Sequence, residues 1–162
     1  HASLEDRKVV TAALDIEKQT GAPAAALELP DGEIIDGKTS DLLGASSALL
    51  LNALKKLAGI EHAHHVISPE AIRPIQELKT RYLGSKNPRL HTDETLIALS
   101  VSAASNPEAG LALEQLPKLK GCQAHTSVML SSVDIWQFRR LGIELTCEPK
   151  FEKKKNNDDD DK

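Results

Sequence analysis

Aromatic residues are nearly missing from this sequence: two Phe, one Tyr and one Trp make up 2% of 162 residues. A β-barrel or β-sandwich draws on aromatic and β-branched side chains for its core, so the shortage argues against both. Cysteine is also scarce. Cys122 and Cys147 stand apart with no CxxC spacing. That excludes a disulfide framework and points to two buried free thiols in a reducing compartment. No stretch approaches the roughly 18 consecutive apolar residues of a membrane span. Charge of one sign is lacking too. The net charge is −4, but Asn156–Lys162 holds four acids and one base, so the remainder carries only −1. Such a neutral domain lacks the basic footprint that nucleic acid demands.

Leucine and alanine fill the gap, with 23 and 19 copies among the 40% of residues that are hydrophobic. These are helix formers, and they suit helices lying closely on a sheet. Leu4 to Thr20 reads as a helix closed by Gly21, and Ala24 to Leu29 as a strand. Pro30-Asp31-Gly32 is turn chemistry, with Glu33 to Asp36 as the returning strand. A long helix is expected from about Asp41 to Ala58, stopped by Gly59, with Ile60 making the apolar contact of the cap. His64 to Ile67 reads as a short buried strand. Ser68-Pro69-Glu70 opens a helix to about Tyr82. Thr92 or Asp93 caps another to Ala104, and Asn106-Pro107 starts a short one. Ala124 to Leu130 is a strand, Ser132 caps a helix to Leu141, and Ile143 to Cys147 is the last strand.

The expected fold is therefore α/β: a three-layer domain at 4–150 with a mixed sheet of about five strands, a β-hairpin near its start, and helices on both faces. The order is α-β-β-α-β-α-α-α-β-α-β. Asp158–Lys162 resembles an enteropeptidase recognition tag. Residues 151–162 are thus read as a disordered basic and acidic tail, tag-derived from 156.

Residues Gly32 to Thr39 spell GEIIDGKT and satisfy the phosphate-binding pattern G-x-x-x-x-G-K-[ST]. A phosphate-wrapping loop favours glycine and other residues tolerant of unusual dihedrals. Ile34 and Ile35 favour an extended, buried backbone instead, so the hairpin is the preferred reading over a small P-loop NTPase. Gly37, Lys38, Thr39 and Ser40 still lead toward a helix start, where free N–H groups attract anions. With Ser46 and Ser47 they form the candidate ligand-binding set. The competing reading is an N-cap by Thr39 or Ser40 and close helix packing at Gly44.

His62, His64 and His65 lack a carboxylate or thiolate partner at ligand spacing, and no metal site is assigned. His91, Asp93 and His125 sit at element starts and are the candidate proton carriers. His125 also lies near Cys122, which raises a Cys/His nucleophile pair.

Five stretches carry a family resemblance: GAPAAALELPDG from Gly21, GKTSDLLGASSALLLNALKKLAGI from Gly37, NPRLHTDETLIALS from Asn87, LPKLKGCQAHTSVML from Leu116 and LGIELTCEP from Leu141. Together they resemble the carboxy-terminal domain of a conserved bacterial family, domain-of-unknown-function family 1846, over Asp6 to Pro149. The resemblance implies a cytoplasmic bacterial protein, enzyme-like, whose longer full-length form carries an amino-terminal P-loop-like domain as partner of this one. It supplies no catalytic residues and no cofactor. Family members share segments that here are Gly37 to Ser40, Leu90 to Glu94 and His125 to Ser127. Of the clustered histidines only His65 falls where the family pattern has one.

Three functions follow as expectations. The first is the carboxy-terminal domain of a nucleotide-dependent enzyme, contributing an anion- or ligand-binding helix mouth and inactive by itself. The second is a non-catalytic oligomerisation or interaction domain, suggested by the wide apolar surface of the Leu42–Leu57 helix. The third is the small P-loop NTPase.

Overall fold

The computed structural model describes residues 7–152. The expected helix start at Leu4 to Asp6, and the tail from Lys153 on, lie outside those residues. The chain runs α1 (Lys8–Thr20), β1 (Ala24–Glu28), β2 (Ile34–Lys38), α2 (Ala45–Ala58) and α3 (Pro69–Glu77), which continues as a π-helical turn, Leu78–Tyr82. There follow α4 (Thr92–Ser102), α5 (Pro107–Leu113), a 3₁₀ turn (Leu116–Leu119), β3 (Gln123–Thr126), α6 (Ser132–Arg140) and β4 (Glu144–Cys147).

The hairpin forms as its turn residues require. Gly32 takes a positive φ of 91°, its N–H donates to the Leu29 carbonyl at 2.8 Å, and Leu29 N–H donates to Glu33 at 2.8 Å. The GEIIDGKT string is thus a turn followed by a strand. Ile35 joins the larger core under α2 and Ile34 the smaller cluster under α1, so the two side chains point to opposite faces. This alternation is that of an extended strand, and it removes the phosphate-wrapping loop and the small NTPase built on it.

The sheet order is β2-β1-β3-β4. Both β2 and β3 pair antiparallel with β1, and β4 pairs parallel with β3. Strands β2, β3 and β4 therefore share one direction, and their carboxyl ends lie at one edge of the domain. Helix α1 covers one face through Val9 and Ala13 on Ala26. Helices α2, α4, α5 and α6 cover the other, around Leu27, Leu49, Leu50, Leu54, Leu99 and Phe138.

The class matches the expected α/β sandwich of helix, sheet and helix, with corrections. Among the described residues the sheet has four strands, because His64 to Ile67 forms none: it is a turn whose Val66 and Ile67 plug the core while His62 to His65 stay exposed. Helix α2 begins at Ala45 and not at Asp41. Leu42 and Leu43 instead meet Leu90 across a short parallel bridge, with Leu90 N–H on the Leu42 carbonyl at 3.0 Å.

Gly37 explains how closely α2 lies on the sheet. A Cβ there would stand 2.5 Å from the Ala45 carbonyl oxygen and collide with the backbone of Leu49. Its cross-strand neighbour is Ala25. Two minimal residues thus let the helix backbone touch the strand. Gly44, expected to serve that packing, is roomier: a Cβ at this position would meet nothing closer than the Leu90 carbonyl oxygen at 4.0 Å. Its place is the N-cap of α2. Leu49, Leu50, Leu51 and Leu54 of α2 are buried between the sheet and α4 and α5, and Leu57 packs partly buried against the same core, so most of the helix's wide apolar surface is accounted for inside the domain.

Candidate functional site

Open α/β sheets form their sites outside the carboxyl ends of parallel strands, where helix N-termini gather. Here that edge carries a cavity of about 710 Å³. Its wall includes Thr39 after β2, Gly44 to Ser46 opening α2, Arg89 and His91 leading into α4, and Val128 to Ser132 between β3 and α6. Asp134 of α6 and Phe151 and Glu152 beyond β4 complete it.

Asp134 holds the site together. Ser131 caps α6, accepting from Asp134 N–H at 3.3 Å, which puts the carboxylate in the first turn, where the helix dipole favours it. The residue is 6% exposed. Its Oδ1 accepts from Thr92 N–H at 2.9 Å and from the Thr92 hydroxyl at 2.7 Å. Its Oδ2 meets the Ser46 hydroxyl at 3.3 Å and His91 Nδ1 at 3.4 Å. Burial pushes the carboxyl pKa up, but the hydrogen bonds from His91 and Thr92 and the nearby imidazole outweigh it, and the group stands below its ordinary value.

A second layer fixes His91. It is the N-cap of α4, and its N–H donates to Glu94 Oε1 at 2.8 Å, the backbone-directed half of a capping box. Glu94 pairs with Lys79 at 2.9 Å, and Lys79 Nζ also donates to the Arg89 carbonyl at 2.6 Å. Lys79 comes from the π-helical turn and is buried. Arg89 Nε in turn reaches the Ser40 carbonyl at 2.6 Å. The cap expected at Thr92 or Asp93 is therefore one residue or more too late.

Of the residues singled out from sequence, Thr39, Ser46 and His91 line the cavity. Gly37 and Lys38 do not belong to a helix mouth: they end β2, with Gly37 against α2 and Lys38 in solvent. Thr39 donates its hydroxyl to the Pro23 carbonyl at 3.1 Å, and Ser40 Oγ accepts from Leu42 and Leu43 N–H, so neither caps α2. Ser47 is buried and donates to the Leu90 carbonyl at 2.9 Å.

Asp93 accepts from Glu94 N–H at 2.8 Å, and Asp134 is the carboxylate that meets His91. His125 stands apart. It is fully buried, with Nδ1 2.7 Å from Thr146 Oγ1 and Nε2 2.7 Å from Glu148, and it does not line the cavity.

Cys122 does not join His125. Its thiol contacts the Lys118 carbonyl at 3.6 Å, and burial, then Glu28, raises its pKa, the condition of an inert thiol. Cys147 is only half-buried, short of the burial expected for both. Among the described residues no group of three or more His, Cys, Asp or Glu is placed to hold a metal ion. Nor, among them, is any helix long and apolar enough to cross a membrane.

Comparison with known proteins adds the family. The description "Domain of unknown function DUF1846, C-terminal" matches residues 5–156. The chain belongs to this family. It is 58% identical over 152 residues to a UPF0371 protein of Corynebacterium glutamicum, covering 94% of this chain and 31% of that one. A UPF0371 protein of Corynebacterium diphtheriae is 60% identical over 149 residues, covering 92% and 30%. One from Streptococcus uberis is 51% identical over 150 residues, covering 93% and 30%. The DUF1846 domain described here thus spans just under a third of the length of these relatives.

Chemically, the cavity offers a histidine braced by an ionised carboxylate, an arginine and the uncapped start of α2. Gly44 provides no side-chain cap for that helix. The order of groups is not that of a serine–histidine–aspartate relay. The Ser46 hydroxyl and the imidazole both meet Asp134 Oδ2, so the carboxylate lies between them.

Proposed function

We propose that this domain supplies one wall of a ligand site in a longer, nucleotide-dependent bacterial enzyme, with His91 as the proton carrier and Asp134 as the group that orients and charges it. The observation that carries this reading is Asp134: a buried, ionised carboxylate bound to His91 and Thr92 at the wall of the cavity. Buried charge is costly, and a carboxylate kept ionised beside an imidazole is a recurring arrangement for general acid–base work. The start of α2, with Thr39 and Arg89 nearby, is suited to an anionic part of the ligand. In this reading the amino-terminal part of the full-length protein brings the P-loop-like nucleotide site, and the isolated domain is inactive.

Titrating the isotope-labelled chain with inorganic phosphate, sulfate and ATP tests the reading. Amide shifts are expected at Thr39, Ala45, Ser46 and His91, with little change at Lys38 or His125. Silence at those four positions, together with unchanged nucleotide binding by full-length protein carrying Ser46→Ala and His91→Gln, would retire it.

A further inference from the structure

Helix α4 leaves two large apolar side chains on its outward side. Ala98 and Leu99 are buried in the core and Leu96 packs against it, while Ile97 is 63% exposed and Val101 70% exposed. Ile97 and Val101 are four residues apart and so share one outward stripe. Next to α4 lies α6, joined to it through Asp134 and Thr92. Beside exposed Ser132, Arg139 and Arg140 it too presents large apolar residues: Val133 is 42% exposed and Trp136 58% exposed, the latter beneath the Arg140 guanidinium at 5.5 Å. Four large apolar side chains on two neighbouring helices thus face solvent. Trp and Arg at such a place are typical of interface anchors.

We infer that the outer face of α4 and α6 is the seat of the amino-terminal portion of the full-length protein, which by docking there comes to lie over the cavity mouth. Two observations choose this occupant over a second copy of the domain. The relatives carry more than twice this chain's length beyond the matched region. That portion is covalently tethered, so it competes for the face at an effective concentration in the millimolar range, which a separate molecule rarely matches. The two helices also begin at the cavity: their N-caps, His91 and Ser131, both line it, and Phe151 on the cavity wall is 79% exposed. The inference concerns a contact surface and stands whether or not His91 carries protons.

The test compares thiol labelling of Ile97→Cys, and separately Val101→Cys, in this 162-residue chain and in the full-length protein. Native Cys122 is buried and serves as the slow internal reference. Docking predicts labelling roughly tenfold or more slower in the full-length protein at both positions. Equal rates in the two proteins would overturn it. So would protection that rises with concentration in the short chain together with its dimerisation in sedimentation, since a second copy would then own the face. Because the readout needs no ligand, its failure is distinct from failure of the proposed chemistry.

Discussion

Replacing Asp134 separates a carboxylate that anchors the cavity from one that merely decorates a helix start. Its two strong bonds run to Thr92, at 2.7 and 2.9 Å. Removing a buried charged acceptor strands its neutral donors, and each one left unsatisfied costs about 1–3 kcal/mol. Asp134→Ala should therefore lower unfolding stability by about 3 kcal/mol at neutral pH in urea titration. Asp134→Asn keeps the shape and one acceptor, and should cost about half as much.

The pH dependence gives the sharper test. The native carboxyl titrates below its ordinary value of 3.8. Its ionised form thus favours the folded state above that value, and the advantage drains away as pH falls through 3.8 toward the lower native value. Asparagine does not titrate. The gap between wild type and Asp134→Asn should be full above about pH 5 and should narrow with acidification. A gap that stays constant or widens, or an alanine cost under about 0.5 kcal/mol, would refute the reasoning.

Other substitutions probe the surrounding scaffold. Gly37→Ala forces a methyl into the α2 backbone and should cost about 3 kcal/mol or abolish folding, whereas Gly44→Ala should cost under about 1 kcal/mol, both read by urea denaturation. Lys79→Met strips Glu94 of its buried partner and should lower stability by about 2–3 kcal/mol, while Lys38→Ala on the exposed strand end should change it by less than about 0.5 kcal/mol. In the native protein Cys122 should react with a thiol reagent roughly tenfold more slowly than half-buried Cys147, followed by mass spectrometry of the two peptides.

Where structure is set by neighbours in sequence, it was legible. The 30–32 turn, the glycine stops at Gly21 and Gly59, and the caps at Ser68 and Asn106 all rest on a few adjacent residues, and each occurs. Ile34 and Ile35 outweighed a full motif match because side-chain branching acts on the residue itself. Errors arose where a distant backbone decides. Val66 and Ile67 have strand composition, but a strand needs a partner edge, and none among the described residues reaches them. Asp41 to Leu43 has helical periodicity, but Leu90, far along the chain, donates to the Leu42 carbonyl, and the Leu42 and Leu43 N–H groups turn back to Ser40 Oγ.

The site divides along the same line. Ser46 and His91 were visible because small or titratable residues at a helix start are a local sign, and both line the cavity. Asp134 was not, although Ser131-x-x-Asp134 is a legible capping pattern. In one dimension that acid only complements its own helix dipole, while Asp93, two residues from His91, looks the better partner. In three dimensions a residue that near along the chain is spent on its own turn, bonding Glu94 N–H. The partner of an N-cap histidine has to approach from outside the helix. The β3-α6-β4 crossover delivers one, because it starts α6 at the same edge of the sheet where α4 starts. For a histidine at a helix mouth in such a fold, the better candidate carboxylate is therefore one in the first turn of the crossover helix, and less so the nearest one in sequence.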